Sequence, residues 1–181
     1  MPALKNKNPS EPLKRLRVAY VGSCLPRRCG IATFTANLNK AVEKQLGKNS
    51  GVYIALNDTT EDYVYTTRVI GQIEQDKLTD YSEAAVLLNA AGVDVVSLQH
   101  EFGLFGGPAG NYITEFLSRV EKPVVTTLHT VLEKPTPEQR KALIEIAAFS
   151  HSLVVMNKLA INILTNVYQI DAAKIWLIPH G

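Results

Sequence analysis

The sequence predicts an α/β domain built on a parallel sheet with helices on both faces, and three observations lead there. Short apolar runs alternate with stretches of helical periodicity along most of the 181 residues. One run, Val93 to Leu98, is almost unbroken, the pattern of a strand buried on both faces. Glycine and polar residues collect in the segments after the strands, where ligands bind in open α/β sheets.

Each element follows in order. Residues 1–14 are polar and contain Pro2, Pro9 and Pro12, so a flexible leader is expected, with the folded domain over 15–181. Leu16 to Val21 is the first strand, and Gly30 to Leu46 a helix whose apolar positions recur every three to four residues, with Gly47 as its cap. Val52 to Leu56 and Tyr63 to Ile70 read as strands, and Leu78 to Ala90 as a helix closing near Gly92. After Val93 to Leu98, a loop over Gly103 to Gly107 leads to a helix expected from Pro108 to Val120. Val124 to Leu128 is a strand. Thr136-Pro137-Glu138-Gln139 is a helix start, a hydroxyl cap followed by proline at the first position, and the helix runs to Phe149. Leu153 to Met156, Lys158 to Tyr168 and Ile175 to Ile178 complete the pattern as strand, helix and strand. Right-handed crossovers at this spacing give a doubly wound, Rossmann-like sheet.

Composition narrows the function. A net charge of +2 gives no electrostatic footprint for nucleic acid. Lys5, Lys7, Lys14, Arg15 and Arg17 crowd the start, read as a solvated tail, with contact to anionic lipid as the alternative. No apolar run reaches the ~20 residues of a transmembrane helix. The N-terminus lacks a secretory apolar stretch, and Cys24 and Cys29 form no disulfide framework, so a cytoplasmic protein is expected, peripheral to the membrane at most. Asn57-Asp58-Thr59 is then a chance glycosylation sequon.

Three loops carry the chemistry. Ser23 to Gly30, between the first strand and helix, lacks the G-x-G-x-x-G of a dinucleotide fold, which argues against an NAD-linked dehydrogenase. It offers Arg27, Arg28 and Gly30 at a helix N-terminus, where backbone amides favour an anion; surface arginines beside a turn glycine are the plain alternative. Cys29 reads as a small packing residue rather than a nucleophile, and no Cys/His cluster near it suggests a metal site. In the second loop Gln99, His100, Glu101, Phe102 and Gly103 close a buried strand; glycines permit close backbone approach, and Phe102 and Phe105 offer apolar walls. The third, Leu128-His129-Thr130, again sets a histidine straight after a strand. His129 can donate to a hydroxyl or polarise an oxygen near neutral pH.

Leu128-His129-Thr130, Gln99-His100-Glu101-Phe102-Gly103, Pro26-Arg27-Arg28-Cys29-Gly30-Ile31-Ala32 and the closing Ile178-Pro179-His180-Gly181 together resemble the retaining group 1 (family 4-like) GT-B glycosyltransferases. The resemblance implies the N-terminal, acceptor-side half of a GT-B fold and transfer of a sugar from a nucleotide-sugar donor to a saccharide or lipid-linked acceptor, with no metal or other cofactor. It implies that Arg28, Cys29 and Gly30 approach the donor pyrophosphate. His129 would be the catalytic hydrogen-bonding residue at the transferred sugar, and Gln99, His100, Glu101, Phe102, Gly103 and Thr130 the acceptor side. Where relatives carry two adjacent glycines, this chain has Cys29-Gly30. The family's donor-binding half, with its basic pair and Glu-x7-Glu motif, is not in these 181 residues, so the partner expected is the chain's own C-terminal domain, and the domain alone is expected to be inactive.

Two rival classes remain from the residues. One is a carbohydrate- or anion-binding module without catalysis, using the same cleft. The other is a hydrolase or epimerase, opposed by the lack of a Gly-x-Ser-x-Gly elbow and of a G-x-x-x-x-G-K-[ST] loop.

Overall fold

The computed structural model describes residues 16–58 and 63–180. The expected leader, Thr59 of the sequon and Gly181 lie outside the described residues. Seven strands pair in parallel in the order β3-β2-β1-β4-β5-β6-β7. They are β1 Val18–Gly22, β2 Gly51–Asn57, β3 Val69–Glu74, β4 Val95–His100, β5 Val124–Leu128, β6 Ser152–Val155 and β7 Ile175–Leu177. The helices are α1 Gly30–Leu46, α2 Leu78–Ala90, α3 Ile113–Leu117, α4 Pro137–Phe149 and α5 Lys158–Asn166. The protein is thus an α/β, Rossmann-like doubly wound domain.

Handedness explains which helix lies where. The β1–α1–β2 connection steps toward one edge of the sheet, whereas the connections through α2, α3, α4 and α5 step toward the other. Right-handed crossovers therefore put α1 alone on one face and the other four helices opposite. Packing agrees: α2 touches α3, α3 touches α4, and Leu143 and Ala147 of α4 share a cluster with Ile163 and Leu164 of α5. Alternate strand residues divide accordingly. Val96, Leu98, Leu153 and Val155 are wholly buried under the four-helix face. Val95, Val125 and Val154, on the α1 face, stay partly exposed along a groove of about 820 Å³. Among the described residues no Asp, Glu, Lys or Arg lines it.

The helix termini were written locally. Thr136 Oγ1 accepts from Gln139 N at 3.2 Å and Gln139 Oε1 from Thr136 N at 2.9 Å, a reciprocal capping box with Pro137 at the first helical position. Asn157 caps α5 by accepting from Ala160 N. At α1 the cap is Cys29, whose Sγ accepts from Ala32 N at 3.3 Å. Gly47 ends that helix at φ 97°.

Two expected elements differ. The strand expected over Tyr63 to Ile70 begins only at Val69 and runs to Glu74. The alternating Tyr63 and Tyr65 are instead loop residues whose hydroxyls donate to Asp58 Oδ1 (3.0 Å) and Asn57 Oδ1 (2.8 Å), leaving Val64 exposed. Gly71 lies inside β3, where Ile54 Cδ1 would stand 3.0 Å from any Cβ. The helix expected over Pro108 to Val120 breaks into a 3-10 turn, Pro108–Gly110, and the five-residue α3. Ala109 at φ 54° and Gly110 at φ 79° are left-handed, so helical dihedrals cannot continue through them. Smaller shifts move β1 and β4 about two residues later than their apolar runs, because the polar Gln99 and His100 still pair with β5.

Candidate functional site

Strand order reverses between β1 and β4, the switch point where ligands bind beyond the carboxyl ends of the strands. Gly22 ends β1 at φ 144°, and a Cβ there would stand 3.1 Å from Gln99 Cβ, so only glycine lets the two strand ends close together. Alternation then turns Gln99 toward the α1 face and His100 toward the other.

Gln99 is wholly buried. Its Nε2 donates to Ser97 Oγ at 3.0 Å, and its Oε1 lies 3.0 Å from His129 Nε2. His129 follows β5 and is held in line with it by its main-chain N–H, which donates to His100 O at 3.0 Å. Its ring packs at right angles to that of Phe34, from the second turn of α1, at 4.9 Å between centroids and 87°. Phe34 also packs against His180 at 5.6 Å. Glu101 ties the two loops: Oε1 accepts from Phe102 N at 2.9 Å and Oε2 accepts from Thr130 Oγ1 at 2.7 Å. The pKa of His129 falls below its ordinary value because partial burial disfavours the imidazolium; Glu101 opposes the shift and His180 adds to it. The ring is therefore neutral at pH 7.

His100 has a different environment. It is wholly buried, with its ring edge-on to Phe102 at 5.1 Å and stacked on Phe105 at 6.2 Å. Neither ring nitrogen has a hydrogen-bond partner among the described residues. Burial, with His129 nearby, pushes its pKa down to about 4. Gly103 is exposed at φ 82°, and its carbonyl accepts from Gln75 Nε2 at 3.0 Å.

The loop after β1 resolves the roles of its charges. Arg27 is committed to Asp58 at 2.9 Å and to Leu56 O at 3.2 Å. Arg28 is exposed at the start of α1, and Gly30 is also exposed, with nothing within 4 Å of a built Cβ. Cys24 is buried with its thiol pushed up to about 12, so it is inert.

The structure thus gathers Gln99, Glu101, His129 and Thr130 into one bonded cluster, with Phe102 on the Glu101 main chain. It sets Arg28, Cys29 and Gly30 at the α1 terminus, joined to the cluster through Phe34 four residues on. His100 lies behind, sealed in the opposite face. Sequence reasoning missed Phe34, Ser97 and His180 as members. Phe34 obeys the helical period of a core residue, and only β1–α1 packing reveals that it walls His129. Such a cluster can hold a hydroxyl group between a neutral imidazole and a carboxylate, beside a helix terminus suited to an anion.

No family model matches the chain, and no curated protein matches it in sequence. Among the described residues no helix is long and apolar enough to cross a membrane, and no three His, Cys, Asp or Glu side chains are grouped as a metal site.

Proposed function

We propose that the chain is the acceptor-side domain of a retaining GT-B glycosyltransferase, working with a nucleotide-sugar donor and a donor-binding domain outside these residues. The observation that carries the reading is the cluster at the carboxyl edge, where His129 bonds Gln99 and meets Phe34 of α1 while Glu101 bonds Thr130. In such a transfer the bond from the donor's anomeric carbon to a phosphate oxygen breaks, leaving negative charge on the phosphate and cationic character on the sugar. The main-chain amides of Gly30 and Ile31 at the start of α1, with exposed Arg28, suit the first. The neutral His129 and the Glu101 carboxylate suit the hydroxyls and charge of the second.

The test is turnover of nucleotide-sugars by the natural polypeptide that contains this chain, as wild type and as His129→Ala. The expected fall in kcat/KM is about 100-fold, ~2.7 kcal/mol of transition-state stabilisation, with melting temperature nearly unchanged. Full turnover in the variant removes His129 from the mechanism. Saturable sugar binding with no turnover of any donor favours the binding-module reading instead.

A further inference from the structure

Residues 101–107 lie between β4 and the 3-10 turn and belong to no strand or helix, so their main-chain groups need partners from elsewhere. Two come from the segment that joins β3 to α2. Gln75 Nε2 donates to Gly103 O at 3.0 Å. The hydroxyl of Tyr81, on α2, accepts from Gly106 N at 2.9 Å and donates to Gln75 O at 2.8 Å. Chemistry fixes the direction of each bond, since a carbonyl only accepts and an N–H only donates. Tyr81 is wholly buried, and burial pushes its hydroxyl up to about 12 against the Gly106 N–H, so its proton is held throughout the neutral range. A Cβ on Gly106 would run into Gln75 O, so only glycine lets the loop lie this close to the turn. Tyr112 completes the pairing of Gly106 by donating its N–H to the Gly106 carbonyl at 3.0 Å. The turn is itself held: Gln75 N donates to Asn57 O at 2.9 Å and Glu74 N to Asp80 Oδ2 at 3.1 Å.

We infer that Tyr81 is a positioning residue: its buried hydroxyl, together with the Gln75 side chain, anchors the 101–107 loop to the β3–α2 turn and so sets where Glu101 and Phe102 stand at the candidate site. The path is continuous. From Gly106 the chain runs back to Leu104, whose N–H donates to Glu101 O at 3.2 Å, and to Phe102, whose N–H donates to Glu101 Oε1 at 2.9 Å. Glu101 Oε2 then accepts from Thr130 on the next loop. Tyr81 reaches no solvent and so touches no ligand; it acts only through the loop. Phenylalanine at this position keeps the ring and leaves the Gly106 N–H without its acceptor, so the loop gains paths in which Glu101 and Phe102 are displaced. A ligand that needs them in place then binds only the fraction of molecules whose loop is anchored. That weakens affinity and leaves the chemical step alone. This consequence for the acceptor rests on the transferase reading above, whereas the anchor does not.

The experiment is amide hydrogen exchange, followed by NMR of the ¹⁵N-labelled 181-residue chain, as wild type, Tyr81→Phe and Gln75→Met. Loss of the hydroxyl frees the Gly106 N–H in any case, so the deciding amides are Phe102 and Leu104, whose bonds do not involve Tyr81. Both should exchange about tenfold faster in Tyr81→Phe, while Val96 and Leu98 of β4 keep their rates. Gln75→Met removes only a half-exposed donor and should speed the same two amides. Unchanged rates at Phe102 and Leu104 in Tyr81→Phe overturn the anchor, as does equal acceleration of Val96 and Leu98. If that variant does not fold, Gln75→Met decides by the same criterion. Turnover of the natural polypeptide is then followed with methyl α-glucoside as acceptor and UDP-glucose or GDP-mannose as donor. Tyr81→Phe should raise the acceptor KM about tenfold, with kcat and donor KM within about twofold of wild type. A fall in kcat with the acceptor KM unchanged is what a merely structural tyrosine gives, and it overturns the positioning role. Absence of turnover in the wild type bears on the transferase reading, and exchange alone then decides the anchor.

Discussion

At the scale of single residues, two histidines with the same sequence setting, each at the end of a strand, have opposite roles. His129 is bonded, partly exposed and faces α1, whereas His100 is sealed between Phe102 and Phe105 with both nitrogens unsatisfied. His100 makes a pH-dependent contribution to stability whose sign is fixed. Its folded pKa, about 4, lies below the ordinary 6.5. At pH above 6.5 neither state carries the proton; between 6.5 and 4 the unfolded chain gains it and the folded one does not. Stability should therefore fall as pH drops through that window, by about 3 kcal/mol at most. Urea unfolding from pH 7 to pH 4 measures it. His100→Leu should flatten this segment of the profile and cost little at pH 7, since unsatisfied buried polar atoms cost about 1–3 kcal/mol. An unchanged pH slope in the variant would show that other groups cause it. His100 and His129 could not be told apart from sequence, because which face a side chain enters depends on the register of β4 and β5, not on the neighbours in the chain.

At the scale of elements, termini were legible and interiors with unusual dihedrals were not. The bounds of α1, α2 and α4 follow from caps and periodicity, since those interactions are made within a few residues. Thr136→Ala removes the hydroxyl half of the capping box of α4 and should cost about 1 kcal/mol. Cys29→Ser puts a better acceptor at the α1 cap and should gain a few tenths to about 1 kcal/mol without moving the helix. Thermal unfolding of both variants checks the pair, and a neutral Thr136→Ala would mean that the box is not formed in solution. The break between Pro108 and α3 escaped the sequence for a tertiary reason. A Cβ on Gly107, at φ 78°, would run into Asn111 and Tyr112, and one on Gly106 into the Gln75 carbonyl. The backbone there follows the shape of its neighbours, not the local helical period.

At the scale of the whole molecule, the sheet is covered unequally. Four helices close one face, and α1 alone covers part of the other. Parallel sheets are normally covered on both sides, and among the described residues the groove along Val95, Val125 and Val154, with no charged side chain lining it, is the part left open. Trp176 and Ile178 add exposed apolar surface near it. In water such a groove favours dye binding and association. The 181-residue chain should bind 1-anilinonaphthalene-8-sulfonate and sediment as a concentration-dependent mixture. Val154→Lys should reduce both without lowering secondary structure in circular dichroism. A strictly monomeric wild type that binds no dye would contradict the open groove.

The sequence by itself determined the class of fold, the bounds of most elements and the edge of the sheet on which to look, because apolar periodicity, caps and strand-end loops are local properties. It also marked Gln99, Glu101, His129 and Thr130 as residues worth watching. Only the tertiary structure decided that Gln99 bonds His129 and Glu101 bonds Thr130, that Phe34 walls the cluster, that Arg27 is spent on Asp58, and that His100 is buried. The reason is geometric. The two side-chain bonds join residues 30 and 29 positions apart and Phe34 lies farther still from His129, and strand order and register, which set these contacts, are global outcomes of packing one sheet between unequal layers.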